Sequence, residues 1–313
     1  MLPPMPYPDW ADTHRHLHLM AQIVGKIRLA LEPRRNHWWH VPLYVTPSGL
    51  TTAAMPWREG LAELAFDLRR HRLELRTSWG APQARALAEG SIAAFHADVI
   101  AMLARAGIQV DLIARPFDPP KVGSDTPFAD DDAVRPYDRV AVEAFADVLA
   151  FVEPVFDAFR GRFLGKSTPV HLFWHSMDLA LTRFSGRPGP DLTGADPVTR
   201  DAYSHEVISF GFWAGDPQQP APAFYAYASP EPAGLAATAL APVGAVWHDT
   251  GSGLLALYPY EGMRTEADPR TALLTFLEGT YQVMASRAGW PIEELRYGPA
   301  YVRARPAEPR PRR

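Results

Sequence analysis

The sequence has 313 residues, 47% hydrophobic and 11% aromatic, enough to bury one large core or two modest ones. A formal charge of -4, with lysine at only three of the 31 basic positions (Lys26, Lys121 and Lys166), offers no global field to attract nucleic acid. Cysteine is absent, which excludes disulfides, thiolate metal sites and cysteine nucleophiles. The N-terminus lacks a signal-peptide pattern and no apolar run is long enough to span a bilayer, so a soluble, cytoplasmic protein with no membrane partner is expected.

Leu17, Met20, Ala21, Val24, Ile27 and Leu31 recur at helical spacing and predict a first helix, capped at Asp9 and stopped before Pro33. His14, His18, Gln22 and Gly25 run along one edge of its buried stripe, where they either border the core or face a cleft. Residues 41–46 and 50–55 flank Pro47-Ser-Gly49 and read as a hairpin. In a second hairpin Leu64, Phe66 and Leu68 face Leu73 and Leu75, while Asp67, Arg72, Glu74 and Arg76 are expected on a wet face. A helix over 91–106 stops at Gly107, suited to a left-handed cap, and a strand over 108–114 follows.

Residues 115–136 lose periodicity and carry Asp130-Asp-Asp132, which reads as a solvated turn because adjacent side chains do not converge on a metal. A long helix over 137–163, kinked at Pro154, then precedes strands near 170–174, 178–184, 204–213, 224–228 and 253–258. Asp268-Pro269 opens a closing helix that ends at Gly289, and the Arg/Pro tail from 303 to 313 has nothing to bury and is expected to be disordered. Strands clustered between helices predict an α+β fold of antiparallel sheets packed with long helices. The units are a half at 1–116, a Pro/Asp-rich connection at 117–136, a second half at 137–300 and the tail at 301–313, and the two halves share an order of helix, hairpin, hairpin, helix that suggests duplication.

Gly161-Arg-Phe-Leu-Gly-Lys-Ser167 imitates a phosphate-binding loop but has three residues between its glycines where four are needed, and it follows a helix; Lys166 is left at a site edge. His14 with His18, and His171 with His175, have permissive metal spacing, yet no compact ligand motif occurs and no metal is expected. A nucleophilic serine lacks its usual glycine-flanked setting. Arg183 and Arg187 surround a turn and suit a carboxylate or phosphate, or equally a structural acid such as Asp178, Asp191 or Glu206. His205 and Glu206 point to opposite faces of a regular strand, Glu206 with Ile208, Phe210 and Phe212, His205 with Tyr203 and Val207. The pair Trp38-Trp39 suits core packing or a stacking platform.

Gln22-Ile-Val-Gly-Lys26, Asn36-His-Trp-Trp-His40, Gly49-Leu-Thr-Thr52, Pro169-Val-His-Leu-Phe-Trp174, Asp178-Leu-Ala180, Thr182-Arg-Phe-Ser-Gly-Arg187, Tyr203-Ser-His-Glu-Val207 and Gly211-Phe-Trp213 resemble a bacterial family known as domain of unknown function 5996, over nearly the whole chain to about Trp290. His175 stands where that family commonly has glycine, and Ala214 where it commonly has proline, which weakens any scheme that makes His175 essential. The resemblance implies a shared site at His37, Trp38, His171, Asp178, Arg183, Arg187, His205 and Glu206 and implies no chemistry.

The leading expectation is a small-molecule site at the junction of the two halves that receives an anion. Its candidate catalytic groups are His171, Asp178, His205 and Glu206; its candidate ligand contacts are His18, His37, Trp38, Arg183, Arg187 and Tyr203. Of the arginines, Arg183 is expected to be a structural partner and Arg187 the ligand contact. The alternative is a non-catalytic structural or protein-interaction module whose polar and aromatic motifs only lock the fold. Cofactor and oligomeric state have no signature in the sequence.

Overall fold

The computed structural model describes residues 2–118, 122–217 and 219–298; the tail at 303–313 lies outside them. In chain order, α1 (Ala11–Leu31) leads to β1 (Tyr44–Thr46), β2 (Gly49–Thr51), β3 (Met55–Trp57), β4 (Gly60–Asp67), β5 (Arg72–Thr77), β6 (Gln83–Ala86) and α2 (Ile92–Arg105). Then α3 (Arg139–Arg160) leads to β7 (His171–Phe173), β8 (Asp178–Pro188), the short α4 (Pro197–Ala202), β9 (His205–Trp213), β10 (Ala223–Ser229), β11 (Val246–Asp249) and β12 (Leu254–Pro259). Helices α5 (Tyr260–Arg264), α6 (Pro269–Arg287) and α7 (Ile292–Leu295) close the described chain. The strands form two antiparallel sheets, so the fold is mixed α+β, with six strands per sheet rather than the four of two hairpins. No helix among the described residues is long and apolar enough to cross a membrane.

The first sheet runs β1-β2-β4-β5-β6, with β3 paired to the start of β4. Its register sets Leu64 against Leu75 and Phe66 against Leu73, so one face is apolar, as the alternation requires. The other face is drier than expected: Asp67 and Glu74 are buried, Arg70 pairs with Asp67 at 3.2 Å, and Arg72 and Arg76 both reach Glu74. Arginine stems cover the carboxylates they neutralise. Segment 108–114, expected as a strand, has no ladder partner among the described residues; Ile108 is buried and Val110, Leu112 and Ala114 pack against the core as extended chain only. The short strands β3, β6 and β11 escape sequence reading because three or four residues with a proline, an arginine or a histidine carry no period.

Caps follow the expected chemistry. Ser91 accepts from the Ala94 amide at the start of α2, Asp138 from Val140 and Ala141 at α3, and Asp268 from Thr271 ahead of Pro269 at α6. At α1 the cap is missing: Tyr7–Asp9 forms a 3-10 turn instead, and the helix begins after Trp10 with no side-chain cap. The α3 helix runs through Pro154 without ending there.

The second sheet runs β11-β12-β10-β9-β8-β7, and its β7 edge meets the first sheet. Leu43, one residue before β1, exchanges two backbone hydrogen bonds with Leu172 of β7, at 2.8 and 2.7 Å. One apolar cluster therefore runs through both halves. At its centre is α1, in which every residue from His16 to Arg28 is buried. A helix covered on all sides brings its polar side chains inside with it, and this places His18, Gln22, Lys26 and Arg28 between the halves. The closest approach is at Gly25: a Cβ there would lie 2.1 Å from Trp174, whose indole N–H donates to the Val41 carbonyl at 2.9 Å.

Candidate functional site

Strand register divides the candidate residues between the two faces of the second sheet. Asp178 opposes Trp213 and His171 opposes Ala180, so His171, Asp178, Thr182, His205, Ser209, Tyr225 and Tyr227 share one face by alternation. Arg183 opposes Ile208 and shares the other face with Leu179, Leu181, Phe210 and Glu206, against α3 and α6.

On the first face, the two halves meet around His37. Its ring packs on Phe184 (4.6 Å) and on His205 (5.5 Å), Nδ1 donates to the Asp201 carbonyl at 3.1 Å, and Nε2 lies 2.8 Å from Lys166 Nζ. Lys166 is aligned because its segment pairs with β8: the Phe184 amide donates to the Lys166 carbonyl, and Thr168 donates to Thr182. The ammonium lies 5.2 Å from the Trp39 ring centroid and 5.1 Å from that of Phe184. Burial and then the Lys166 charge hold His37 below the usual imidazole range, and burial lowers Lys166 against the opposing pull of Asp201. His37 and Trp38 are consecutive non-glycine residues at φ 55° and 59°, a strained turn. Trp38 leaves the cluster to stack on His40, and Trp39 forms its wall.

Further along this face the expected residues are held by one another. Asp178 accepts from both Ser176 Oγ and Tyr225 Oη, so its two oxygens are occupied. Tyr203 and Tyr227 share a hydroxyl contact of 2.9 Å, and Thr182 and Ser209 one of 2.8 Å. His171 is fully buried beside Tyr44 and Phe173, with neither ring nitrogen bonded among the described residues; burial, aided by the Arg28 charge, pushes it down to about 3. His18 stands 3.3 Å from Gln22 Nε2, and Gln22 grips the Phe117 backbone through both amide atoms. Between the halves, His14, Arg15 and His18 face Ser176 and Asp216 around a gap of about 10 Å³, the space of about one water. The junction thus gathers His18 and Asp178 but leaves little room for a ligand at that point.

The opposite face holds a larger opening. A cleft of about 230 Å³ is lined by Arg162, Arg183, Arg296, Glu278, Tyr281, Ile292 and Leu295 among others. Arg162 pairs with Glu278 at 3.0 Å and Arg296 with Glu293 at 3.2 Å. Arg183, 1% exposed, forms no ion pair among the described residues. Its guanidinium is stacked 3.5 Å from the Phe159 centroid and 4.4 Å from that of Tyr281, and one amino group donates to the Phe159 carbonyl, while Nε and the Tyr281 hydroxyl are buried without partners among the described residues. Burial lowers Arg183 to about 10.

Arg187 has an acid partner. It pairs with Glu206 at 2.7 Å and donates to the Ala288 carbonyl, which fastens the end of α6 to the sheet. Of the two arginines it is therefore Arg187 that has an acid partner, while Arg183 forms no ion pair among the described residues: a residue inside a strand need not have a carboxylate beside it, and one beyond a glycine turn can fold back onto its neighbour. Because Arg187 is half exposed, Arg187→Gln is expected to cost about 1 kcal/mol or less in denaturant melts. A loss of several kcal/mol would show that the Glu206 pair carries more of the fold than its exposure allows.

Sequence reasoning missed Tyr281, which reads as one more apolar position of the closing helix, and Arg162, whose spacing has no motif. Tyr225 and Tyr227 are visible only as strand residues until the register sets them beside Asp178 and Tyr203. No three metal-ligating side chains converge among the described residues. Compared with known proteins, residues 2–297 match the model of a family of unknown function, DUF5996. No curated protein and no solved structure matches.

Proposed function

The chain belongs to the DUF5996 family, and from its geometry we propose that it binds a small anionic molecule, a carboxylate or a phosphate, in the cleft over Arg183. The observation that carries this reading is a buried guanidinium with no ion pair among the described residues, the Glu278 carboxylate that acts on its charge being paired with Arg162. Removing a charge from water is costly unless a counter-charge or hydrogen bonds replace the solvent, and stacking on two aromatic rings offsets only part of that cost. An anion accepting from Arg183 and the Tyr281 hydroxyl would supply the missing partner for both. Ile292 and Leu295 add an apolar wall for the rest of the molecule.

The reading moves the anion from the junction of the halves into the second half and from Arg187 to Arg183. It is a binding function: the imidazoles of His37 and His205 lie across the sheet from the cleft. The halves at 1–116 and 137–300 are read as two similar helix-hairpin-hairpin-helix units, a reading supported by the six-stranded antiparallel sheet in each.

The test is a thermal-shift panel of inorganic phosphate, sulfate, dicarboxylates, amino acids and phosphate esters on the wild type and on Arg183→Gln. The variant strands no carboxylate, so it should keep most of its stability, without the roughly 3 to 5 kcal/mol loss of a broken buried pair. At least one anion should raise the wild-type melting temperature and leave the variant unmoved. An equal shift in both proteins, or no shift in either, would overturn the assignment.

A further inference from the structure

The Lys166 cluster lies on the other sheet face from the anion cleft, and nothing in that binding function uses it. Three observations set this amine apart. Lys166 is exposed, so its Nζ can be approached from solvent, yet no carboxylate among the described residues forms an ion pair with it; the acid that acts on its charge, Asp201, is engaged with Arg34 at 3.2 Å. One of its protons points to a neutral imidazole nitrogen, His37 Nε2 at 2.8 Å, and the tautomer is set because Nδ1–H is committed to the Asp201 carbonyl. Its flanks are the Trp39 and Phe184 rings, apolar walls beside the nitrogen.

The backbone adds an independent sign. Two successive non-glycine residues in the left-handed region cost on the order of 1–3 kcal/mol each, and such strain persists only where the surroundings over-determine it. Here the strained pair is His37-Trp38, and its effect is to turn the His37 ring onto Phe184 and His205 and towards Lys166. A surface lysine on a solvated face would need none of this.

We propose that Lys166 is a reactive amine that condenses with a small carbonyl compound, an aldehyde or a 2-oxo acid, to form an imine, with His37 as the proton acceptor. The ammonium gives a proton to His37 Nε2, and the freed nitrogen lone pair attacks the carbonyl carbon. The C–N bond forms while the C=O π electrons move to oxygen, and the nitrogen's second proton passes to that oxygen, giving a neutral carbinolamine. The hydroxyl then leaves as water with the proton held on His37, and the nitrogen lone pair closes the C=N bond of the protonated imine. One carbonyl and one amine become one imine and one water, and no electrons are exchanged with an outside reagent. The surroundings support the first step: the apolar rings of Trp39 and Phe184 flank the nitrogen, and desolvation lowers Lys166 against the opposing pull of Asp201.

The experiment treats the full chain with glyoxylate, or separately with acetaldehyde, in the presence of cyanoborohydride at neutral pH, and follows capture at each lysine by peptide mass spectrometry. Lys166 should be captured about tenfold faster than Nα-acetyl-lysine for each unit by which its pKa falls below the ordinary value near 10.4. Faster capture by glyoxylate alone assigns a 2-oxo acid, and equal capture assigns the aldehyde class. His37→Asn keeps a residue that tolerates the left-handed turn and removes the ring, so it should bring capture down to the rate of the free amine without loss of fold by circular dichroism. Capture of wild-type Lys166 no faster than the free amine overturns the proposal, as does an unchanged rate in a folded His37→Asn. If that variant does not fold, the wild-type pH–rate profile decides: an inflection at the ordinary lysine value is equally fatal.

Discussion

Lowering the pH from about 7.5 to about 5 is expected to remove a large part of this protein's stability, well before its carboxylates protonate. His14, His18 and His171 are buried, and burial holds them neutral, at about 4, 3 and 3 against an ordinary value of 6.5. Arg15 adds to the depression at His14, the His14 charge at His18 and Arg28 at His171. The unfolded chain therefore binds more protons than the native one everywhere between these values, and stability rises with pH across that window. It is complete above 6.5 and is lost as pH falls towards 3 or 4. At about pH 5 each histidine contributes a loss on the order of 2 kcal/mol, and three together approach the whole stability of an ordinary domain. Urea melts at three pH values check it. His171→Phe, which keeps an aromatic ring beside Tyr44 and Phe173 but cannot titrate, should reduce the pH dependence by about a third. A midpoint that is flat between about pH 7.5 and 5 would mean that the rings reach solvent or a partner in the native state.

These histidines also show what the sequence could convey. The alternation in 204–213 told correctly that His205 and Glu206 part to opposite faces, and the 3.6-residue period of α1 placed His14, His18 and Gln22 on one line. Both are local properties of one element. What stayed hidden depended on a second element: whether Asp178 is occupied is decided by Tyr225, forty-seven residues on, and whether Arg183 has an acid is decided by α3 and α6. The pairing of Arg187 with Glu206, and the stacking of Arg183 on Phe159 and Tyr281, have the same origin. Residue type announced an anion-binding or ion-pairing group at both positions, and only packing determined which was which. The strand expected at 108–114 had the right alternation too, but a strand exists only when a neighbour offers its backbone. The family motifs, in contrast, mark the junction well: Gln22-Ile-Val-Gly-Lys26 and Pro169-Val-His-Leu-Phe-Trp174 are in direct contact through Gly25 and Trp174.

That contact is where a single methyl group should do most harm. Gly25 lies in the middle of α1, where alanine would ordinarily be about 1 kcal/mol better than glycine. Its Cβ, however, would fall 2.1 Å from Trp174 Cδ1 and 2.4 Å from Nε1, far inside any real contact. The indole cannot turn aside freely, because Nε1–H is bonded to Val41 and Trp174 is itself buried under α1. Displacing it breaks that bond, uncovers the apolar stripe and loosens Lys26, whose ammonium lies 5.8 Å from the indole. Overpacking and the lost bond together outweigh the helical gain, so Gly25→Ala should lose about 2 to 4 kcal/mol in denaturant melts. The double-mutant cycle separates this from any intrinsic need for glycine. In a Trp174→Ala background the space is open, and adding Gly25→Ala should then be neutral or stabilise by up to about 1 kcal/mol. The coupling between the two positions would thus be large and opposite in sign to the single effect. If Gly25→Ala costs the same in both backgrounds, the helix is not held by the indole, and the two halves must be locked together by the Leu43–Leu172 backbone bridge and the buried leucines around it.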